Sequence, residues 1–413
     1  MASGSEAHII VGGGLAGAKA AETLREEGFE GPVTLIGDEP ERPYERPPLS
    51  KEYLRGERDE APYVHGEDFY AANDIELLTS TRVTAIEPAA HEVVLAGGRR
   101  LGSGKLLLAT GAEPRRLDVP GADLDEIHYL RTLAESARIG ERFGEGRRLV
   151  VIGSGWIGAE IGASARQKGC EVTLVEMAAL PLERVLGPEL GRIYLDVHRA
   201  HGVEFLAETT LERFEGDGAV QRVVTSDGKE IPADLVVVGV GVTPRTELAA
   251  SAGLEIDNGV RVDESLRTSD PDIFAAGDIA NATNPFYGHP LRVEHWQNAR
   301  KQGAAAAKAM LGEEVSFDEI PYFFSDQYET GMEYSGYATE WDEVVFRGDV
   351  DGREFIAFWV KDDRVVAGLN MNIWDVSEPI RELIRSRRPV DREHLVDPDV
   401  PLAEVAEAGG PKP

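Results

Sequence analysis

One cysteine, Cys170, is all that the 413 residues contain. A disulfide within the chain is therefore impossible, and so is a dithiol that takes electrons from a bound redox cofactor. Dithiol–disulfide reductase chemistry is excluded on that count alone. Cys170 itself comes just before the apolar run from Val172 to Val175 and reads as a small structural residue. Basic residues are scarce as well: 43 Lys and Arg stand against 74 Asp and Glu, a formal net charge of −31. A field of that sign repels nucleic acid and anionic membranes and fits a highly solvated surface. An acidic protein partner would need a local basic patch. Long hydrophobic runs are also missing. The longest, from Leu235 to Val242, includes Gly239 and Gly241 and is far too short to span a bilayer. The first six residues, Met1 to Glu6, have neither a basic segment nor an apolar core, so no secretory signal is read there and the cytoplasm is the expected compartment.

What the chain does have is 42% apolar residues, enough for ordinary globular cores, and a length that calls for two or three domains. It also has the same glycine-rich turn twice, about 140 residues apart. The first is Gly12-Gly13-Gly14-Leu15-Ala16-Gly17, after the apolar run from His8 to Val11 and before an alanine-rich helix. The second is Gly153-Ser154-Gly155-Trp156-Ile157-Gly158, after Leu149-Val150-Val151. Each reads as strand, tight turn and helix. The first glycine permits the turn, the second lets a pyrophosphate approach the backbone, and the third lets helix pack on strand. The helix N-terminus then offers unpaired N–H groups and the positive end of its dipole to the phosphates. One such turn is weak evidence, whereas two imply two dinucleotides on one polypeptide, hence a flavoprotein fed by a nicotinamide.

The acid that binds the adenosine ribose closes the second strand of such a unit. In the second unit the run Val172-Thr173-Leu174-Val175 ends in Glu176, and residues 177–182 contain no Arg, Lys or His to hold a 2′-phosphate. NADH over NADPH follows from charge, the bland alternative being a solvated loop glutamate. In the first unit the matching position is Gly37. The acid comes one residue later as Asp38, which is preferred, with Glu39 a competing candidate.

Punctuation by Pro and Gly gives the organisation. Beta-type runs from Arg82, His91 and Lys105 close a first unit on Ala109-Thr110-Gly111. The second unit closes in parallel fashion on the run from Leu235 to Gly241, with Pro244 after it. A return segment carries Val260 to Val262, Ile273 to Asp278 and a helix from about Trp296 to Met310. One unit is thus inserted in the other. Short alternating runs beyond residue 317, a hairpin at Lys361-Asp362-Asp363-Arg364 and a helix from Ser377 to Arg387 make a third, α+β domain. The expected partition is 1–112 with 245–316, 113–244, 317–402, and a loose tail at 403–413. The fold class is α/β: two Rossmann-like dinucleotide-binding domains, one inserted in the other, plus a C-terminal α+β domain.

Several stretches together resemble a known family. They are Arg46-Pro47-Pro48-Leu49-Ser50-Lys51, Leu108 to Gly111, Tyr129 to Leu133, Gly239 to Pro244, Ile273 to Ala280, Arg292 to Ala299 and Pro321 to Gln327. The family is that of the FAD-dependent NADH:ferredoxin reductases of bacterial oxygenase systems, the putidaredoxin reductase-like flavoproteins, related to apoptosis-inducing factor and monodehydroascorbate reductase. The likeness runs from residue 8 to about 400 and implies FAD and NADH as cofactors. It implies FAD contacts at Lys51, Val83, Arg131, Asp278 and Trp296, with Arg46, Thr110, Gly111 and His295 in the same stretches, and an NAD contact at Gly241. Asp278 would bind the ribityl chain, a plain helix N-cap being the alternative. The resemblance also implies that Lys51 and Glu160 meet near the reactive edge of the flavin as the catalytic pair. Taken alone, a surface lysine and a helical glutamate are usually solvated. Phe324 stands where members that serve oxygenases often carry Trp. The implied reaction passes a hydride from NADH to FAD and then single electrons to an iron–sulfur ferredoxin, of two-iron two-sulfur type, that feeds a haem-thiolate monooxygenase or Rieske oxygenase. A reductase of quinones, ascorbyl radical or other small oxidants, or a redox-gated interaction protein, are the alternatives.

Overall fold

The computed structural model describes residues 7–408. They divide into two compact units. The first joins the described residues up to Glu45 with Pro62–Glu113 and Pro244–Phe323; the second joins Arg46–Ala61, Pro114–Thr243 and the described residues from Phe324 on.

The first unit is built on a five-stranded parallel sheet, in the order Ile273–Ala275, Lys105–Leu108, His8–Val11, Val33–Ile36, Ile75–Leu78. Ile10 lies opposite Leu35 on one side and Leu107 on the other. The central strands are apolar without alternation because both faces of a parallel sheet are covered. Ile10, Leu35 and Leu107 are all fully buried, and such a side chain contributes about 1.5–3 kcal/mol of hydrophobic stabilisation. The helix Leu15–Glu26 packs against the helix Trp296–Met310. Small residues let the two approach closely: a Cβ added at Gly303 would come within 2.3 Å of the Ala16 carbonyl oxygen. A small antiparallel sheet, Val83–Glu87, Glu92–Leu95 and Arg100–Gly102, completes this part.

The second unit repeats the plan. Its parallel sheet runs Glu204–Leu206, Glu171–Val175, Arg148–Ile152, Leu235–Val238, Ile127–His128. In both units the closing strand read from the sequence lies beside the first strand, Lys105–Leu108 against His8–Val11 and Leu235–Val238 against Arg148–Ile152. Cys170 is buried among Leu149, Ile161 and Leu235, and burial pushes its thiol up, as suits a structural residue. The helix Glu183–Ala200, kinked at Gly187 (φ 80°), and the antiparallel sheet Leu211–Asp217, Ala219–Thr225, Glu230–Pro232 fall where the sequence analysis assigns no elements.

The C-terminal part is a five-stranded sheet in the order Tyr322–Gln327, Thr330–Gly336, Arg364–Met371, Glu354–Lys361, Glu343–Asp349, covered by the helix Ser377–Ser386. The hairpin at Lys361–Arg364 is present, with Asp362 and Asp363 both left-handed (φ 47° and 59°), the conformation that matches strand twist in a two-residue turn.

Three expectations need correction. The helix expected to run to Arg387 stops at Ser386, because Arg387 adopts the left-handed conformation. The tail expected from residue 403 is helical over Leu402–Ala408, with Val405 fully buried; its last residues, 409–413, lie outside the described ones. Finally, Arg46–Ala61, assigned above to the first nucleotide-binding domain, belongs to the second unit together with the C-terminal sheet. Among the described residues no helix is long and apolar enough to cross a membrane.

Candidate functional site: two nucleotide cradles and a buried lysine–glutamate pair

The two glycine turns have the same construction, and sterics show why. A Cβ at Gly12 (φ 130°) would lie 2.1 Å from the Ala109 carbonyl oxygen; one at Gly153 (φ 92°) would lie 2.5 Å from that of Gly239. The closing strand presses on each turn, so only glycine fits. A Cβ at Gly17 would meet the Gly12 carbonyl at 2.1 Å, and one at Gly158 the Gly153 carbonyl at 2.1 Å. The middle glycines differ: Gly14 and Gly155 have nothing within 4 Å of an added Cβ. Each is the N-cap of its helix and supplies no side-chain cap. Open space therefore faces the first-turn N–H groups, which suits a pyrophosphate. Each cradle fits the pyrophosphate of a dinucleotide.

In the first unit Leu15 and Ala16 open the helix, and Thr110 and Gly111 (φ 70°) follow the closing strand, with the Thr110 hydroxyl donating to the Arg245 carbonyl at 3.1 Å. A Cβ at Gly277 would lie 3.1 Å from the Ala16 Cβ, so Asp278 sits beside the start of the first fingerprint helix. Val83 begins its antiparallel strand, half-buried against the core. His295 caps the helix Trp296–Met310, and burial pushes its imidazole down to about 4. Its ring stacks on Phe323 with centroids 4.5 Å apart, and the Trp296 indole donates to Glu45 at 3.1 Å. Asp38 accepts from Arg245 at 2.8 Å and from Arg82 at 3.4 Å. Burial alone would raise its carboxyl, but these two guanidiniums hold it below the usual carboxylate range. Glu39 accepts from the Tyr44 hydroxyl. Neither arginine is signalled in the sequence; Arg245 lies 207 residues from Asp38.

In the second unit Glu176 follows its strand and is bound on both oxygens. One accepts from the Ser154 N–H and hydroxyl, each at 2.8 Å; the other accepts from the Ala178 N–H at 3.0 Å. The carboxylate is thereby fixed against the second glycine turn. Trp156 opens the fingerprint helix with its ring edge-on to Tyr194 at 6.1 Å, Ile157 is exposed, and Gly241 (φ 98°) has open space around it.

Lys51 and Glu160 form an ion pair, Nζ to Oε2 at 2.9 Å, and both are buried. The 3-10 turn Pro47–Ser50 aims the lysine, whose ammonium also donates to the Pro47 carbonyl at 3.1 Å. Ser50 donates to Glu160 at 2.5 Å, Ser325 donates to it at 2.7 Å, and the Lys51 ammonium lies 5.7 Å from the centre of the Phe324 ring. Ser164 donates to the Ser50 carbonyl and Ser136 to the Leu49 carbonyl, both at 2.7 Å, so the loop is tied to two helices. These bonds are why Arg46–Ala61 belongs to the second unit. Arg46 donates to the Arg131 carbonyl, next to the capping box of Thr132 and Glu135. Asp326, nearby, is raised by burial despite Lys51, with Glu160 adding to the rise. No spacing in the sequence signals these serines, because each reaches its partner across 87 residues or more.

A model of the family described as pyridine nucleotide-disulphide oxidoreductase matches residues 6–303, and one described as reductase C-terminal matches 322–406. The chain is 39% identical to putidaredoxin reductase of Pseudomonas putida over 97% of this chain and 96% of that one. It is 38% identical to rhodocoxin reductase of Rhodococcus erythropolis, over 95% and 93%. Among solved structures it is similar to the covalent putidaredoxin reductase–putidaredoxin complex (TM-score 0.95, 38% identity, 99% and 100% covered). It is also similar to the ferredoxin reductase for the CYP199A2 system of Rhodopseudomonas palustris (TM-score 0.93, 38% identity, 97% and 100% covered).

Proposed function

For a chain that belongs to the pyridine nucleotide-disulphide oxidoreductase family, yet has one cysteine, we propose that electrons leave through an iron–sulfur ferredoxin, making it an FAD-dependent NADH:ferredoxin reductase. The observation that carries this is the combination of two open nucleotide cradles with no second thiol: electrons enter as pairs from a nicotinamide and find no dithiol to receive them. Relatives similar over more than nine-tenths of their length are named putidaredoxin reductase, rhodocoxin reductase and the ferredoxin–NAD(+) reductase component of an anthranilate 1,2-dioxygenase system. The ferredoxin is of two-iron two-sulfur type, it supplies a haem-thiolate or Rieske oxygenase, and the setting is the cytoplasm.

Bound FAD supplies the switch in electron number, accepting a pair from NADH and releasing electrons singly. The first cradle, with Asp38, Val83, Thr110, Gly111, Asp278, His295 and Trp296, would hold it. The second cradle, with Glu160, Glu176 and Gly241, would hold NADH. Lys51 keeps a desolvated ammonium at fixed geometry, where negative charge on a reduced ring is stabilised without reorganisation. Glu160 holds that ammonium in place. A carboxylate offers about four lone-pair sites, and Lys51, Ser50 and Ser325 take three, which leaves room for a carboxamide N–H.

The test is NADH-driven cytochrome c reduction with and without a two-iron ferredoxin. Strong ferredoxin dependence supports the proposal. Equal rates without it favour a reductase of small oxidants.

A further inference from the structure

The strand Tyr322–Gln327 is patterned in an unusual way. Side chains alternate between faces, and the buried face reads Phe323, Ser325, Gln327. Two polar groups buried this deeply need partners, since an unpaired one gives up its hydration with nothing in return. Their partners form a chain. Ser325 Oγ lies 2.7 Å from Glu160 Oε1, Gln327 Nε2 lies 3.3 Å from Ser325 Oγ, and His198 Nε2 lies 3.0 Å from Gln327 Oε1. The Tyr328 hydroxyl lies 3.4 Å from His198 Nδ1. His198 is fully buried on the helix Glu183–Ala200, and no role assigned above uses it.

Chemistry fixes the direction of every bond. A carboxylate only accepts, so Ser325 donates to Glu160 and accepts from the Gln327 amide. The Gln327 oxygen must then accept from His198, which places the imidazole proton on Nε2 and leaves Nδ1 to accept from Tyr328. We propose that His198, Gln327 and Ser325 are positioning residues for the Lys51–Glu160 pair, a one-way hydrogen-bond relay that orients Glu160 from the C-terminal sheet. The inference rests on the reading of Glu160 as part of the catalytic pair, not on the identity of the electron acceptor. Burial keeps the imidazole neutral, pushed down to about 4, with the neighbouring His201 adding to the effect. The groups facing Glu160 are Lys51, Ser50, Ser325, Asp326 and Tyr194; those facing His198 are Gln327, Tyr328 and His201.

The first readout is nitrogen-15 histidine NMR of the oxidised FAD-loaded protein, with the His198 signal assigned by its loss in His198→Gln. A neutral ring with its proton on Nε2, unchanged from pH 8 to about 5.5, is expected. A proton on Nδ1, or titration near an ordinary histidine value of about 6.5, overturns the relay. The second readout is single-turnover flavin reduction by NADH, which needs no ferredoxin and so tests the relay even if the acceptor is misassigned. Ser325→Ala, a small change that should fold, is expected to slow reduction about tenfold with FAD content unchanged. His198→Leu is expected to slow it too, and His198→Gln, which keeps a donor, to restore it. Wild-type reduction in Ser325→Ala, or equal loss in the Leu and Gln variants, overturns the proposal.

Discussion

Replacing Glu176 by Gln tests the nicotinamide side of the account with little structural disturbance. The carboxylate is held by the Ser154 N–H and hydroxyl and by the Ala178 N–H. The amide oxygen of Gln can keep the Ser154 bonds, so the turn should stay in place while the charge is lost. A charged hydrogen bond to the ribose hydroxyls is worth about 1.5–3 kcal/mol, so the variant should lose about ten- to hundredfold in kcat/KM for NADH. The effect on NADPH has the opposite sign. A carboxylate about 4 Å from each phosphate charge costs about 1–4 kcal/mol between the aqueous and near-surface limits, and Glu176 is only half-buried. The wild type should therefore favour NADH by at least about a hundredfold, and Glu176→Gln should erase most of that ratio from both directions. The assay is kcat/KM for both nucleotides at constant ionic strength, since the repulsive part is screened by salt. An unchanged NADH to NADPH ratio in the variant, or equal use of the two by the wild type, refutes the reasoning.

Lys51→Met should leave FAD bound but slow its reduction by NADH and lower the flavin potential. Removing one preorganised contact costs on the order of 3 kcal/mol in the transition state, and wild-type reduction rates would demote Lys51 to a packing residue. Lys51→Met and Glu160→Gln should be non-additive, because their side chains are 2.9 Å apart; additive losses in the double mutant would count against a shared role. The His198 imidazole is lower in the folded than in the unfolded chain. Its contribution is thus complete above about pH 6.5 and is withdrawn as pH falls toward 4, by up to about 3 kcal/mol. The thermal midpoint of the holoprotein should fall over that window, and less steeply in His198→Gln.

Local chemistry made much of the fold legible in the sequence. Both fingerprint turns, the parallel closing strands and the helix Trp296–Met310 were readable because glycine sterics and apolar runs are encoded within a few residues. Glu176 was legible for the same reason, coming directly after its strand. What escaped depends on distance along the chain. Arg245 reaches Asp38 across 207 residues, and Ser325 reaches Glu160 across 165; no periodicity announces either. The C-terminal helix is expected to run to Arg387, but that residue adopts the left-handed conformation and ends it at Ser386. Residues 403–413 read as a loose tail, yet Val405 is buried on the helix Leu402–Ala408.

The most direct measurement of the central claim is an anaerobic stopped-flow experiment with the FAD-loaded protein, NADH and a two-iron ferredoxin. Rapid bleaching of the flavin band by NADH, followed by reduction of two ferredoxins per NADH, is the predicted result. Bleaching by NADH with no electron reaching the ferredoxin would contradict the account.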